Sequence, residues 1–571
     1  MKVRYRAAAG VAALTLAVAA CSGGSGSDNR QPSAEQSKQA QRQMAETPSF
    51  SINPVPYDQV KDGGTLTLSI GQWPSQWNVH HIDGNQADTA TMLDPLMPQL
   101  MLADENASFK ANPDYVTDVK EDRSSGKQVV TYTLNDKATW SDGTPITWKD
   151  LAAAWKADNG ENKGFKTAST DGWDKIESIE KGDSDKVAVI TFEKPYSEWQ
   201  GLYNRATSHL FPAGHMATQQ AFEKDYLQKI PVTAGPFKVE SIDESTKTLT
   251  LVRDDKWWGS KPKLDKLIFR TISDPAAEVN AFANGELDAV EVPSGSPADL
   301  KRAKEVPDTE IRKALSPNWR HITVNNQSEF LKDKPVRQAV QHAIDRDVIT
   351  RSNLKDMDWP MQTLGNHVFM NNDKRYADNS GGTGTYDLGK AKQLLDTAGW
   401  KQEGEYRKKG GDELDLTIVI PSEMPASKAE AELTQAMLKE AGIKLTIRPV
   451  PADKLFTDYL NKGDFDLAPF AWIGTPLPLG SLPQKYKTGS ESNYPKASDP
   501  AVDAAIEAVV DETDPAKAAE LANAADKLLW DMVHTIPLYQ RPEIWAVKKT
   551  LANFGARGYK YLDWTTAGFT G

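Results

Sequence analysis

The chain carries one cysteine in 571 residues, Cys21. A single thiol cannot close an internal disulfide, and it supplies neither a CxxC redox pair nor a cysteine-rich zinc site. HExxH and Gly-x-Ser-x-Gly are both missing, which removes the commonest metalloprotease and serine-hydrolase signatures. There is no phosphate loop either: Gly382-Thr383-Gly384 starts like a dinucleotide fingerprint but has Asp387 where the third glycine belongs. The eight histidines are scattered. His80 and His81 point in opposite directions on an extended loop, and no third ligand is spaced to join them, so no metal is expected. Positive charge is also short. A net charge of −12 argues against nucleic acid or an anionic membrane surface as partner. With no catalytic motif, the chain points to binding rather than turnover, although 79 Asp and Glu leave a paired-acid hydrolase open.

What is present is an ordinary globular composition, 39% hydrophobic and 26% charged, on a chain too long for one core, so two or three domains are expected. Tryptophan matches phenylalanine and tyrosine at 16 each. That is more than cores usually need, and the surplus suits ligand stacking. At the N-terminus, basic residues from Met1 to Arg6 precede an apolar stretch from Ala7 to Ala20. The stretch is too short to span a bilayer, so residues 1–20 are expected to be a cleaved signal peptide. Val18-Ala19-Ala20-Cys21 resembles the bacterial lipoprotein box, which makes Cys21 the expected lipidation site. Residues 21–60, opening with the Gly/Ser run Ser22 to Ser27, are expected to be a flexible tether, with folded structure starting at Lys61.

Thr65 to Ile70 alternates with period two and predicts a strand that runs into a Trp-rich loop, Gly71 to Asn78. Val129 to Leu134 predicts another strand. Trp140 to Pro145 is an Asp-Gly turn in which Asp142 bonds the turn backbone rather than a substrate, and Thr147 caps a helix running through Ala157. Amphipathic helices follow at Val336 to Ile344 and Asp387 to Ala398. Strand Leu414 to Ile420, helix Ala426 to Ala441 and strand Lys444 to Val450 form a βαβ unit. Strand Phe465 to Ala471 extends that sheet and ends at Trp472, before the broken loop Ile473-Gly474-Thr475-Pro476. A large aromatic at a strand end, followed by a loop with unpaired backbone, is a ready ligand wall.

Several segments resemble, in order, those of the extracytoplasmic solute-binding proteins of the oligopeptide/dipeptide/nickel class (family 5), the lipid-anchored receptors of ABC importers. They are Trp140 to Asp150 (WSDGTPITWKD), Thr233 to Phe237 (TAGPF), Val324 to Asn326 with Phe330 to Arg346 (FLKDKPVRQAVQHAIDR), Tyr386 to Gly399, and Phe465-Asp466 with Trp472. The resemblance covers nearly all of 61–571. It implies an α/β, two-lobed periplasmic-binding-protein-like fold of type II, with an extra subdomain on lobe I and two crossover hinge strands near Ser316 to Asn325 and His534 to Trp545. Lobe I would take 61–110, 230–318 and 536–571, the subdomain 111–229, and lobe II 319–535. The resemblance further implies a monomer without cofactor or catalytic residue, held by its lipid on the outer face of the cell membrane. It would pass an oligopeptide to permease subunits after hinge closure. Trp73, Trp77, Asn78, Trp319, Trp472, Ile473, Gly474, Thr475, Pro476 and Tyr494 would contact the ligand.

One departure matters. Many peptide-binding members place an aspartate three residues after the strand-end tryptophan, where it holds the peptide ammonium. Here that position is Thr475. A hydroxyl supplies no counter-charge, and a buried unpaired ammonium costs several kcal/mol. Either another acid meets the amine or the ligand lacks it, which keeps an oligosaccharide, a chelate or nickel open beside a peptide.

Overall fold

The computed structural model describes residues 42–571 apart from 45, 205–207, 294 and 491. The expected signal peptide and Cys21 lie outside the described residues. No helix among the described residues is long and apolar enough to cross a membrane.

Strand β1 (Thr65–Ile70) buries every second residue, as its alternation requires. The chain then builds a separate antiparallel sheet of four strands, β2 (Val116–Asp122), β3 (Val129–Leu134), β4 (Ile176–Lys181) and β5 (Val187–Phe192), ordered β2-β3-β5-β4. Helix α1 (Trp148–Asp158) packs on this sheet and opens with a capping box, in which Thr147 and Asp150 bond each other's backbone N–H groups. The Asp142 carboxylate accepts from the Thr144 backbone and hydroxyl at 2.9 and 2.6 Å, so its work is local to the turn. These elements fall within the range expected of the extra subdomain.

Apart from three small sheets of two or three strands, the remaining strands form one ten-stranded mixed sheet. In chain order they are β6 (Phe237–Asp243), β7 (Thr248–Arg253), β8 (Lys266–Thr271), β9 (Ala289–Glu291), β10 (Thr309–Val324), β11 (Asp415–Pro421), β12 (Lys444–Val450), β13 (Leu467–Trp472) and β14 (Thr535–Lys548). With β1 they lie in the order β12-β11-β13-β10-β14-β9-β1-β8-β7-β6. The predicted βαβ unit is present. Strands β11 and β12 pair in parallel, joined by helix α2 (Pro425–Glu440), and β13 lies beside β11 in the same direction. Asp387 caps the helix Leu388–Thr397 through the Lys390 N–H at 2.8 Å.

Two long antiparallel strands, β10 and β14, join the two halves of this sheet. The first part of β10 pairs with the last part of β14 (Thr309 with Lys548 through Leu315 with Pro542), and there β14 also pairs with β9. The last part of β10, Trp319 to Val324, pairs with β13 on one side and with Thr535 to Gln540 on the other. Between these parts the ladder lapses: Ser316, Pro317 and Asn318 stand opposite Arg541 alone. Pro317 and Pro542 have no N–H to donate, so the ladder weakens where the lobes meet.

The N-terminal expectation is corrected. Residues 51–60 are not a free tether but lie on lobe I. The Ser51 N–H donates to Ala556 O at 2.6 Å, and the Tyr57 hydroxyl to Lys261 O at 2.7 Å. Arg312 reaches the Ile52 carbonyl at 3.3 Å, and Val60 is fully packed. Polar composition concealed a strap held mainly by backbone bonds, which composition does not encode.

Candidate ligand cleft

The strand ends that meet at the lapse in the ladder carry an aromatic wall. Trp319 faces Trp472 across the β10–β13 pair, and His321 faces Phe470 two residues further on. The period of two puts all four on one face of the sheet. The rings are in contact. The His321 and Phe470 centroids are 4.3 Å apart, Trp319 and His321 4.8 Å, and His321 lies parallel to Trp472 at 6.0 Å. Tyr494 stacks on Trp472 at 5.8 Å, and Phe456 meets Tyr494 at 5.4 Å. Burial, and then the Arg320 charge next to it, hold the His321 ring well below the usual histidine range, so it stays neutral. Behind the wall, Arg320 donates to Glu430 of α2 through Nε at 3.0 Å and through a second, shorter bond, and to Ser427 Oγ at 2.9 Å. This buried pair fixes β10 to its helix.

The loop after Trp472 is tied to the hinge. The Gly474 N–H donates to Asn318 Oδ1 at 2.9 Å. A Cβ at Gly474 would lie 2.1 Å from Pro317 O, so only glycine allows this approach. Thr475 turns its hydroxyl inward, donating to Leu477 O at 2.8 Å and accepting from Leu477 N–H at 3.3 Å. Its one O–H donor is therefore spent within the loop. Ile473 is half exposed and Pro476 partly so.

The other side of the cleft comes from the four-stranded subdomain. Glu198 is buried and accepts from the backbone N–H groups of Leu479, at 3.1 Å, and of Gly480. Burial pushes its carboxyl up to about 7 despite those two bonds. Lys175 bridges to Asp511 at 2.6 Å, and Tyr196 lies against Gly480. The lobes are thus shut on each other. The cavity left between the wall and the hinge, lined among others by Trp319, Met370, Asp373, Thr475, Lys485 and Tyr559, is about 20 Å³, room for about one water molecule. A larger ligand requires the lobes to part.

Three expected contacts lie elsewhere. Trp77 is fully buried in the lobe I core, and its backbone N–H donates to Tyr226 O at 2.8 Å. Asn78 is buried too, bonded to Phe222 O at 3.0 Å and to the His80 N–H. Trp73 donates to Glu244 at 3.0 Å, with Lys247 over its ring. Among the described residues the loop after β1 packs against Phe222 to Tyr226 and the β6–β7 hairpin, apart from the Trp319–Trp472 wall, and the burial of Trp77 and Asn78 there places these two in the core rather than at a ligand. His80 spends both ring nitrogens internally, on Asp158 and on His209 O. Among the described residues no cluster of three or more His, Cys, Asp or Glu could hold a metal ion. Sequence reasoning missed His321, Glu198 and Lys485. The Trp-x-His and Phe-x-Trp spacings held a signal for His321, whereas Glu198 and Lys485 arrive from distant segments.

Comparison with known proteins settles the family. The family described as bacterial extracellular solute-binding proteins, family 5 Middle, matches residues 110–494. The chain belongs to it. It is 38% identical over 531 residues to the oligopeptide-binding protein OppA of Mycobacterium tuberculosis (strain ATCC 25618 / H37Rv), covering 93% of this chain and 89% of the relative. Among solved structures it is similar to the periplasmic EDTA-binding protein EppA (TM-score 0.82, 27% identity, 91% of this chain and 98% of that one). The oligopeptide-binding protein AppA of Bacillus subtilis, solved with a nonapeptide, shares the fold (TM-score 0.79, 19% identity, 90% and 100%). The family consists of extracytoplasmic binding proteins, not enzymes.

Proposed function

We propose that this chain is the lipid-anchored receptor of an ABC importer. It captures an oligopeptide between its lobes by hinge closure and delivers it, as a monomer, to permease subunits. The observation that carries the reading is the aromatic wall of Trp319, Trp472 and Tyr494, set beside the wider of two lapses in the β10–β14 ladder and facing a lobe that folds shut over it. Aromatic faces bind varied side chains without selecting one, and a weak point in two crossover strands is where a hinge bends. The relatives named as oligopeptide-binding proteins support a peptide as the ligand. Cys21 in its lipoprotein-like box supports the anchor, with the residues before the packed strap, which already includes Met44 and Pro48, as spacer. Lobe II takes 319–535, and the second crossing falls near Arg541. Trp319, Trp472, Tyr494 and the loop Ile473-Gly474-Thr475-Pro476 form the contact surface.

Thermal unfolding of residues 42–571 against tri- to nonapeptides, oligosaccharides and Ni²⁺ tests this. A ligand at 100 times its Kd adds about 2.7 kcal/mol. Stabilisation by peptides that Trp472→Ala abolishes is the expected outcome, and stabilisation by sugars or nickel alone would overturn the peptide assignment. The relative that binds EDTA favours a second reading, a chelate in the same cleft.

A further inference from the structure

The cleft presents a cation that the closed protein leaves without a counter-charge. Lys485 sits in the short helix Leu482–Tyr486, just beyond the wall loop, and lines the cavity. Its ammonium lies over the Trp472 indole, 5.4 Å from the ring centroid. Among the described residues no carboxylate comes within ion-pair range of it and no acceptor takes a hydrogen bond from Nζ; Asp171 and Glu198 act on it only from further away. Titratable groups on and near the cavity wall already have partners. Asp373 is held by Arg375 through two bonds of 3.0 and 2.7 Å, and His367 is bonded to Asp526 and to Thr535 O. Glu198 is committed to the backbone of Leu479 and Gly480.

A second donor beside it, on the ring that Lys485 covers, is also without an acceptor among the described residues: the buried Trp472 indole N–H. Thr475, on the same cavity wall, has closed its hydroxyl onto Leu477. An aspartate at that position would bring a counter-charge to this wall. A threonine leaves the lysine unpaired. A cation–π contact offsets only part of the cost of taking an ammonium out of water. Burial lowers Lys485 to about 8, against the opposing pull of Asp171 and Glu198, so it still carries its proton at neutral pH.

We propose that Lys485 is a specificity-determining residue that pairs with a carboxylate of the ligand, so that the cleft selects ligands carrying an anionic group at its Trp472 end. This rests on the solute-binding reading above and sharpens it. The polarity is opposite to that of a site built to hold a peptide ammonium. The carboxylate has three sources: a peptide C-terminus, an acidic side chain, or a free polycarboxylate.

Isothermal titration of residues 42–571 separates them. The probes are an Ala/Phe pentapeptide as free acid and as C-terminal amide, the amidated peptide with a central Glu or Gln, and EDTA. In the wild type at least one acid form should bind ten or more times tighter than its neutral partner. The acid/amide pair reports a terminal carboxylate and the Glu/Gln pair a side chain. Lys485→Met should bring the pair within twofold, and Lys485→Arg should keep the preference, with both variants unfolding cooperatively near the wild-type temperature. Peptides that bind equally in acid and neutral forms, or a preference that survives Lys485→Met, would overturn the inference while leaving the peptide reading intact. If no peptide binds, the peptide reading falls and EDTA decides the inference: binding lost in Lys485→Met supports it, and binding unchanged by that substitution, or absent in the wild type, overturns it.

Discussion

The two sides of the cleft are made of opposite materials. On lobe II the surface is a sheet of rings, Trp319, His321, Phe470 and Trp472, backed by the buried Arg320–Glu430 pair. On the subdomain side it is Tyr196 and a buried carboxylate, Glu198, spent on the backbone of the opposite lobe. The wall's ring contacts all lie within lobe II, so they do not depend on the opposite lobe. The latch exists only when they are shut, because Glu198 and Leu479 are 281 residues apart and lie on different lobes. A binding surface and a closing device can therefore be altered separately.

The largest effect should come from behind the wall. Glu430→Ala leaves the Arg320 guanidinium buried without its partner and should destabilise the protein by about 3–5 kcal/mol, read as a fall in Tm with or without ligand. Trp472→Ala should cost about 2 kcal/mol of ligand affinity, roughly thirtyfold, with little change in the Tm of the free protein, because Trp472 is only partly buried. If it lowers stability as much as affinity, Trp472 is core and the wall is not the binding surface.

Glu198→Ala, which removes the acceptors of the Leu479 and Gly480 N–H groups, should weaken the closed state by about 1–2 kcal/mol, seen as faster ligand dissociation with the association rate nearly unchanged. The smallest effect is in pH. Glu198 is raised to about 7 by burial, so the stability it contributes is fully present below its ordinary range and is lost as pH rises through about 7. His321 and His534 are depressed, His534 to about 3, chiefly by burial. Their contribution is present above the ordinary histidine range and is lost as pH falls below it. Acidification should therefore tighten the latch while loosening the wall, and Glu198→Gln should remove only the first trend. A Tm profile from pH 5 to 8 for both proteins checks this.

Much of this was legible in the sequence where period and punctuation agree. The alternation from Thr65 to Ile70, the βαβ unit through Val450 and the caps at Thr147 and Asp387 all formed as their residues predict. The wall half of the site was legible for the same reason, since a strand ending in Trp472 before Gly474 announces itself. Trp73 and Trp77 look identical on those terms, but their partners, Glu244 and Tyr226, lie some 150 or more residues away. Whether an aromatic strand end faces a cleft or a core is decided by what packs on it. Glu198 and Lys485 were hidden likewise, because their meaning arises only when two lobes meet.

The most direct test is small-angle X-ray scattering of residues 42–571 with and without a saturating peptide. The radius of gyration should shrink on binding in the wild type and change less in Glu198→Ala, which removes the acceptors that hold the latch. If a peptide that binds by calorimetry leaves the wild-type radius unchanged, capture by lobe closure is contradicted.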